Sequence, residues 1–316
     1  MTYFATWSYP TQVRFGAGRL SELRAACAEA GLARPLIVTD PGIAALQILS
    51  AARAALGDLP HGVFDRVDPN PTEATLIAAV DVYRAGGHDG VIAFGGGSAM
   101  DLGKLTAFMA GQTRAVWDFE DVADWWTRAD ADAIAPIVAV PTTAGTGSEL
   151  GRAGVLTRTE TREKKIIFHP AMLPRVVIAD PALTLGLPPA ITAGTGMDAF
   201  AHCFEAFCSP HFHPMSHGIA LEGMRLVLEA LPRAVADGSD LDARAQLLAA
   251  AGMGAVAFQK GLGAVHALSH PVGARFGTHH GTTNAVVLPA VMDFNRDAIA
   301  DRIAQAGPYI GVAGLD

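Results

Sequence analysis

The sequence predicts an α/β domain, doubly wound around a parallel sheet, followed by an all-α domain. Three observations carry this expectation. Short, wholly apolar runs alternate with helix-patterned stretches in the first half; these runs cease after about Asp180; the spacing then stays helical through long segments rich in Ala, Leu and Met. With 316 residues, half of them hydrophobic and 17% charged, the chain has enough apolar material for two cores.

Gln12 to Phe15, Pro35 to Thr39, Gly62 to Asp65, Gly90 to Phe94 and Pro136 to Val140 read as strands buried on both faces. Apolar positions fall three and four apart from Leu20 to Ala30, Ile43 to Leu56 and Ala74 to Tyr83, and Ala99 to Met109 continues the fourth strand as a helix. Ala182 to Pro189, ending in adjacent prolines, is the natural boundary. Beyond it, Ala190 to Cys208, Gly218 to Ala236 and Leu241 to Phe258 read as helices. The expected division is therefore 1–182 and 183–316, tightly packed with a cleft between them, because no long linker or repeat is present.

Composition narrows the function classes. The formal charge of -8 provides no basic field for a nucleic-acid backbone. Cys27, Cys203 and Cys208 form no CxxC pair and read as small buried hydrophobes of a reducing compartment. Met1 to Pro10 lack the basic start and apolar run of a signal peptide, and no stretch approaches the roughly 20 apolar residues that span a bilayer. A cytoplasmic protein without nucleic-acid or membrane partners is expected.

The strand Gly90 to Phe94 runs into Gly95-Gly96-Gly97-Ser98 and then a helix, so backbone N–H groups at a helix start are accessible to a pyrophosphate. A purely structural turn also uses Gly, and the GxGxxG fingerprint is absent. Gly16-Ala17-Gly18 reads as a turn. Asp40 follows the second strand, where its carboxylate either accepts from a ribose diol or caps a helix. The hydroxyl-rich turn Pro141 to Glu149 suits sugar and phosphate oxygens or a helix cap.

Eight of the eleven histidines lie between His202 and His280. Asp198 and His202 are four apart, as are His266 and His270, so each pair shares a helix face; His279 and His280 follow. Burying so many carboxylate and imidazole groups in an apolar helical domain is costly unless a metal or partners satisfy them. One carboxylate with imidazoles suits Fe(II), Zn(II), Co(II) or Ni(II). His211, His213 and His217, beside Pro210 and Pro214, read as turn residues.

These motifs together resemble the iron-containing (group III) alcohol dehydrogenases. The resemblance runs through Phe15 to Gly18, Asp68 to Thr72, Gly95 to Asp101, Pro141 to Glu149, Gly196 to Ala199 with His202, and His266 to Gly281. It implies a nucleotide-binding α/β domain, a helical metal domain and a cofactor in the cleft. It implies metal ligands Asp198, His202, His266 and His280, with His270 beside them as the catalytic residue. For NAD it implies Asp40, Asn70, Gly97, Ser98, Asp101, Thr142, Thr146, Val155, Lys165 and Leu183, with Lys164 as the register alternative to Lys165. Asp40 is the residue expected to favour NAD over NADP. Further helix beyond Asp316 is expected from the resemblance, so the helical domain is expected to be short at its C-terminus.

The expected activity is reversible hydride transfer between a primary or short-chain alcohol, or its aldehyde, and NAD, with Fe(II) or alternatively Zn(II) as Lewis acid. A homodimer is expected from the resemblance alone. Two competing readings are a metal- and NAD-dependent lyase of the dehydroquinate-synthase type and a shortened, inactive homologue that still binds nucleotide or metal.

Overall fold

The computed structural model describes residues 11–312, so the Met1 to Pro10 stretch read for targeting lies outside the described residues. The chain divides into two compact units. One runs up to Thr142 and resumes over Ser148–Leu183; the other holds Thr143–Gly147 and the chain from Thr184 onward.

The first unit is built on six parallel strands, β1 (Gln12–Phe15), β2 (Pro35–Val38), β3 (Gly62–Phe64), β4 (Gly90–Gly95), β5 (Ile137–Pro141) and β8 (Val176–Ala179), in the order β1-β8-β5-β4-β2-β3. The helices α1 (Leu23–Ala30), α2 (Pro41–Ala44), α3 (Gln47–Leu56), α4 (Glu73–Ala85) and α5 (Gly97–Met109) connect them. Every residue of β2, β4 and β5 is buried, which is why these strands are continuous apolar runs rather than alternating ones. Among the described residues β1 pairs only with β8 and leaves Val13 and Phe15 exposed. A core of Leu23, Cys27, Ile37, Leu56, Ile92, Val138 and Ile178 covers one face.

Two features were not legible as strands. Val176–Ala179 is an apolar run of four residues, and it fills the sheet between β1 and β5. The hairpin β6 (Ala153–Arg158) and β7 (Glu163–Phe168) is antiparallel and carries Glu163, Lys164 and Lys165 on its second strand. That charge run hides the alternation on which a strand assignment from sequence depends.

The chain leaves β2 for β3 on one side and returns through α4 to β4 on the other, so the strand order reverses between β2 and β4. Such a reversal opens a crevice at the strands' carboxyl ends. Gly95 ends β4 there with φ 147°. A Cβ on Gly95 would lie 2.7 Å from Ala99 Cβ, so only glycine lets α5 start this close to the strand.

The second unit consists of α6 (Pro189–Cys208), α7 (Pro214–Ala236), α8 (Leu241–Ala257), α9 (Ala264–Phe276), α10 (His280–Phe294) and α11 (Arg296–Ile310). Helix α6 is buried along most of its length, including Ala199, Ala201, Cys203, Ala206 and Phe207, so it forms the centre around which the others pack. The expected start near Gly218 for the next helix is overtaken by Pro214, which sits at the first helical position where its missing N–H costs nothing. Among the described residues no single helix is long and apolar enough to cross a membrane.

Candidate active site

Asp198 and His202 project from one face of α6, His266 from α9 and His280 from the first turn of α10. His202 Nε2, His266 Nε2 and His280 Nε2 lie 3.9, 3.7 and 3.5 Å from the same oxygen, Asp198 Oδ1. These separations are too long for hydrogen bonds. They suit donors sharing one cation, because tetrahedral bonds of 2.0–2.1 Å place donor atoms about 3.4 Å apart. Ligand atoms of Asp198, His202 and His266 all fall within 4.8 Å of one another, and all three residues are buried.

The surroundings orient these atoms. Glu205, three residues beyond His202 on α6, accepts Val265 N at 2.7 Å and makes a short contact with His266 Nδ1. With the proton on Nδ1, the His266 Nε2 lone pair is directed toward Asp198, the arrangement usual for metal-bound histidine. Asn284, fully buried on α10, places Nδ2 2.7 Å from Asp198 Oδ1 and 3.3 Å from both His266 Nε2 and His280 Nε2. The Asn284 amide therefore stands among the three atoms that a shared cation would draw together.

Electrostatics agree. Burial works to raise the Asp198 pKa, but His202, His266 and His280 outweigh it and hold the carboxyl well below its usual range. Burial also lowers His202 to about 4. It works in the same direction on His266, yet Asp198 and Glu205 on either side prevail and push that imidazole up to about 9. A cluster this anionic at its centre is a cation site in waiting.

His270 stands beside the cluster, its ring 5.9 Å from that of His266 and 5.2 Å from that of His280. His279 instead caps α10, its Nδ1 accepting from Thr282 N at 3.3 Å, so it is the adjacent His280 that faces Asp198. His213 caps α7, and the three cysteines are unpaired, with burial raising each thiol to about 12.

In the α/β unit the crevice at the end of β2 and β4 gathers several nucleotide candidates. Asp40 Oδ1 accepts Ile43 N at 2.9 Å and caps α2, while its Oδ2 lies 3.4 Å from where a Gly95 Cβ would stand. The start of α5 at Gly96, Gly97 and Ser98 has no side-chain cap, so its N–H groups face outward. Ser98 Oγ donates to Pro69 O at 2.6 Å, bringing the Asn70 turn beside this helix start. The hydroxyls of Thr39 and Thr142 close the crevice, both buried without a hydrogen-bond partner. Buried hydroxyls of this kind await a polar ligand.

Other candidates are placed differently. Asp101 uses both carboxylate oxygens to anchor the following loop, through Ser148 Oγ and through Val155 N at 3.1 Å. The buried Lys104 beside it donates to Ser148 O at 2.8 Å. Leu183 is packed into the apolar core, and Thr146 belongs to the helical unit with Asp198. Val155 pairs with Ile166, and Leu156 pairs with Lys165. Lys165 therefore shares its face with the buried Leu156 and forms ion pairs with Glu163 and Glu120 at 3.1 and 3.7 Å. Lys164 lies on the other face with Val155 and Thr157.

Glu205, Asn284 and Thr39 were not singled out in the sequence. A signal existed for the first two. Glu205 extends Asp198 and His202 at helical spacing, and Asn284 stands four residues after His280.

Comparison with known proteins follows the same division. A family model described as iron-containing alcohol dehydrogenase matches residues 10–181, and one described as the C-terminal part of the Fe-containing alcohol dehydrogenase family matches 192–315. The chain is 45% identical to 4-hydroxybutyrate dehydrogenase of Cupriavidus necator, over 92% of this chain and 77% of that protein. Among solved structures, 1,3-propanediol oxidoreductase superposes with a TM-score of 0.91 at 34% identity, covering 99% of this chain and 82% of the other. Sulfoacetaldehyde reductase from Bifidobacterium kashiwanohense in complex with NAD+ superposes with a TM-score of 0.86 at 30% identity, covering 99% and 87%.

Proposed function

This chain belongs to the iron-containing alcohol dehydrogenase family and is an oxidoreductase of alcohols, aldehydes and NAD; from that premise we propose that it acts on short primary alcohols, including diols and hydroxy acids, at the Asp198 cluster. The observation that carries this reading is the convergence of three imidazole nitrogens on one buried carboxylate oxygen. Asp198, His202, His266 and His280 would hold the cation, which we propose is Fe(II), with Zn(II) the alternative that raw affinity favours. When bound, the metal supplies Lewis acidity toward the alcohol oxygen and NAD accepts the hydride.

The chain's own groups do the rest. Glu205 holds the His266 proton on Nδ1 and so keeps Nε2 available, and Asn284 orients Asp198 by donating to its ligand oxygen. His270, beside the cluster, takes the alcohol proton toward solvent. The uncapped start of α5 at Gly97 and Ser98 binds the pyrophosphate, Asp40 the ribose diol, and the partnerless Thr142 hydroxyl a further nucleotide oxygen. Of the two adjacent lysines we assign Lys164, rather than Lys165, to the nucleotide, because it shares a face with Val155.

The test is metal analysis of anaerobically purified protein together with absorbance at 340 nm during incubation with NAD+ and a panel containing ethanol, 1,3-propanediol and 4-hydroxybutyrate. About one metal per chain and NADH formation, both abolished in Asp198→Ala, are expected. In His270→Ala the metal should remain while turnover falls. Metal without NADH from any alcohol would favour the lyase reading, and a metal-free protein would remove the cluster's assignment.

A further inference from the structure

A metal-bound histidine commits both ring nitrogens, one to the cation and the other, as N–H, to an acceptor. Glu205 is that acceptor for His266. In His202, Nε2 is the nitrogen near Asp198 Oδ1, so Nδ1 is left to carry the proton. That Nδ1 is buried and has no hydrogen-bond partner among the described residues. The ring is held too closely to turn toward another acceptor. It stacks 4.5 Å from the His266 ring and lies 5.1 Å from Phe258, and a Cβ on Gly254 of α8 would stand 3.0 Å from His202 Cβ. The main-chain acceptor that acts on this imidazole is Gly145, adjacent to it without a closed hydrogen bond.

Gly145 belongs to the turn Thr143–Gly147, which is packed within the helical unit. A Cβ on Gly145 would lie 2.8 Å from Thr195 Cβ on α6, one turn before Asp198, and one on Gly147, at φ 60°, would lie 2.3 Å from Ala251 O on α8. The turn therefore rests main chain against helix, where only glycine fits. Its preceding residue is Thr142, whose N–H donates to Gly95 O at 2.9 Å beside the start of α5 and whose hydroxyl is assigned above to a nucleotide oxygen. The carbonyl facing a metal ligand is thus three residues along the chain from a nucleotide group.

We propose that Gly145 is a positioning residue whose carbonyl accepts the His202 Nδ1 proton, and that through it metal and NAD bind cooperatively, each tightening the other. The inference rests on the metal and Thr142 assignments made above. With its Nε2 lone pair given to a cation, His202 keeps its proton on Nδ1 and closes the bond to Gly145 O. That bond fixes the turn, and with it Thr142, in the position the nucleotide requires. A turn held by the nucleotide presents the same carbonyl to His202, and linkage makes the two effects equal in size.

The experiment measures Zn(II) affinity by competition with a coloured chelator, with and without saturating ADP-ribose, and ADP-ribose affinity by calorimetry on zinc-loaded and chelator-treated protein. ADP-ribose keeps the sugar and phosphate oxygens of NAD but lacks the nicotinamide, so contact between that ring and the cation cannot produce the effect. Each ligand should tighten the other by the same factor, about fivefold or more. Gly145→Ala, whose Cβ meets Thr195, should cut the factor to below about twofold while both ligands still bind, and adding Thr195→Gly removes the obstructing atom and should restore it. If the variants fail to fold, histidine nitrogen NMR of the zinc-loaded natural protein decides: the His202 Nδ1–H resonance should shift on adding ADP-ribose. Independent binding of the two ligands, a factor that survives Gly145→Ala and so reflects charge acting through space, or an Nδ1–H resonance unmoved by ADP-ribose would each overturn the proposal. Protein that takes up no zinc would overturn the cluster assignment beneath it, and the proposal with it.

Discussion

Glu205 shows how much of this site depends on residues that never touch a substrate. Its carboxylate bridges Val265 N and His266 Nδ1 from the last turn of a buried helix. Exchanging it for Gln keeps the shape and an acceptor but removes the charge that favours the Nδ1 proton. We expect Glu205→Gln to weaken metal binding about 10- to 100-fold with the fold retained, read by competition with a coloured chelator. Unchanged affinity would mean that the His266 orientation is set by packing alone. Asp198, His202 and His266 stood out as candidates because i, i+4 spacing and residue type are local properties, whereas the choice of His280 over His279 came from the family resemblance. Glu205 continues the Asp198 and His202 spacing, but its role toward His266 depends on α9 being packed against α6.

Helix spacing is as decisive as the ligands. A Cβ on Gly281 would stand 2.0 Å from Gly194 O and 3.1 Å from Asp198 Cβ, so α10 approaches α6 backbone to backbone at this point. The first contact is with main chain, which cannot rotate away. Gly281→Ala should push α10 outward, carrying His280 off Asp198, and should cost about 3 kcal/mol of stability together with most of the bound metal. Urea midpoints and metal content measured on the same preparation check this; full metal occupancy in the variant would show that α10 can shift without disturbing the cluster. The sequence pattern revealed α6 and the apolar strands of the sheet, whose periodicity is strong. It concealed the β6–β7 hairpin, where Glu163, Lys164 and Lys165 form a charge run.

For the molecule as a whole, pH dependence follows from Glu149, 4% exposed and raised by burial to about 7 despite the opposing pull of Lys104. Its folded pKa exceeds the ordinary carboxylate value, so its unfavourable contribution is absent below about 4.5 and grows until pH passes about 7. Glu149→Gln should therefore match the natural protein in urea at pH 4.5 and exceed it by up to about 3 kcal/mol at pH 8. Asp101, 3.6 Å from Lys104, still counters that buried ammonium in the variant. Identical curves at both pH values would place the Glu149 carboxylate in a better solvated setting than its burial implies. At this scale the sequence by itself determined the two architectures and singled out the histidine-rich helical segments, because apolar periodicity and i, i+4 pairs act within one element. Only the tertiary structure decided that three histidines share one oxygen of Asp198, that Lys164 rather than Lys165 shares the Val155 face, and that Thr39 and Thr142 are left without partners. Each of these depends on strand register or helix approach, which are set by packing between segments far apart in the chain.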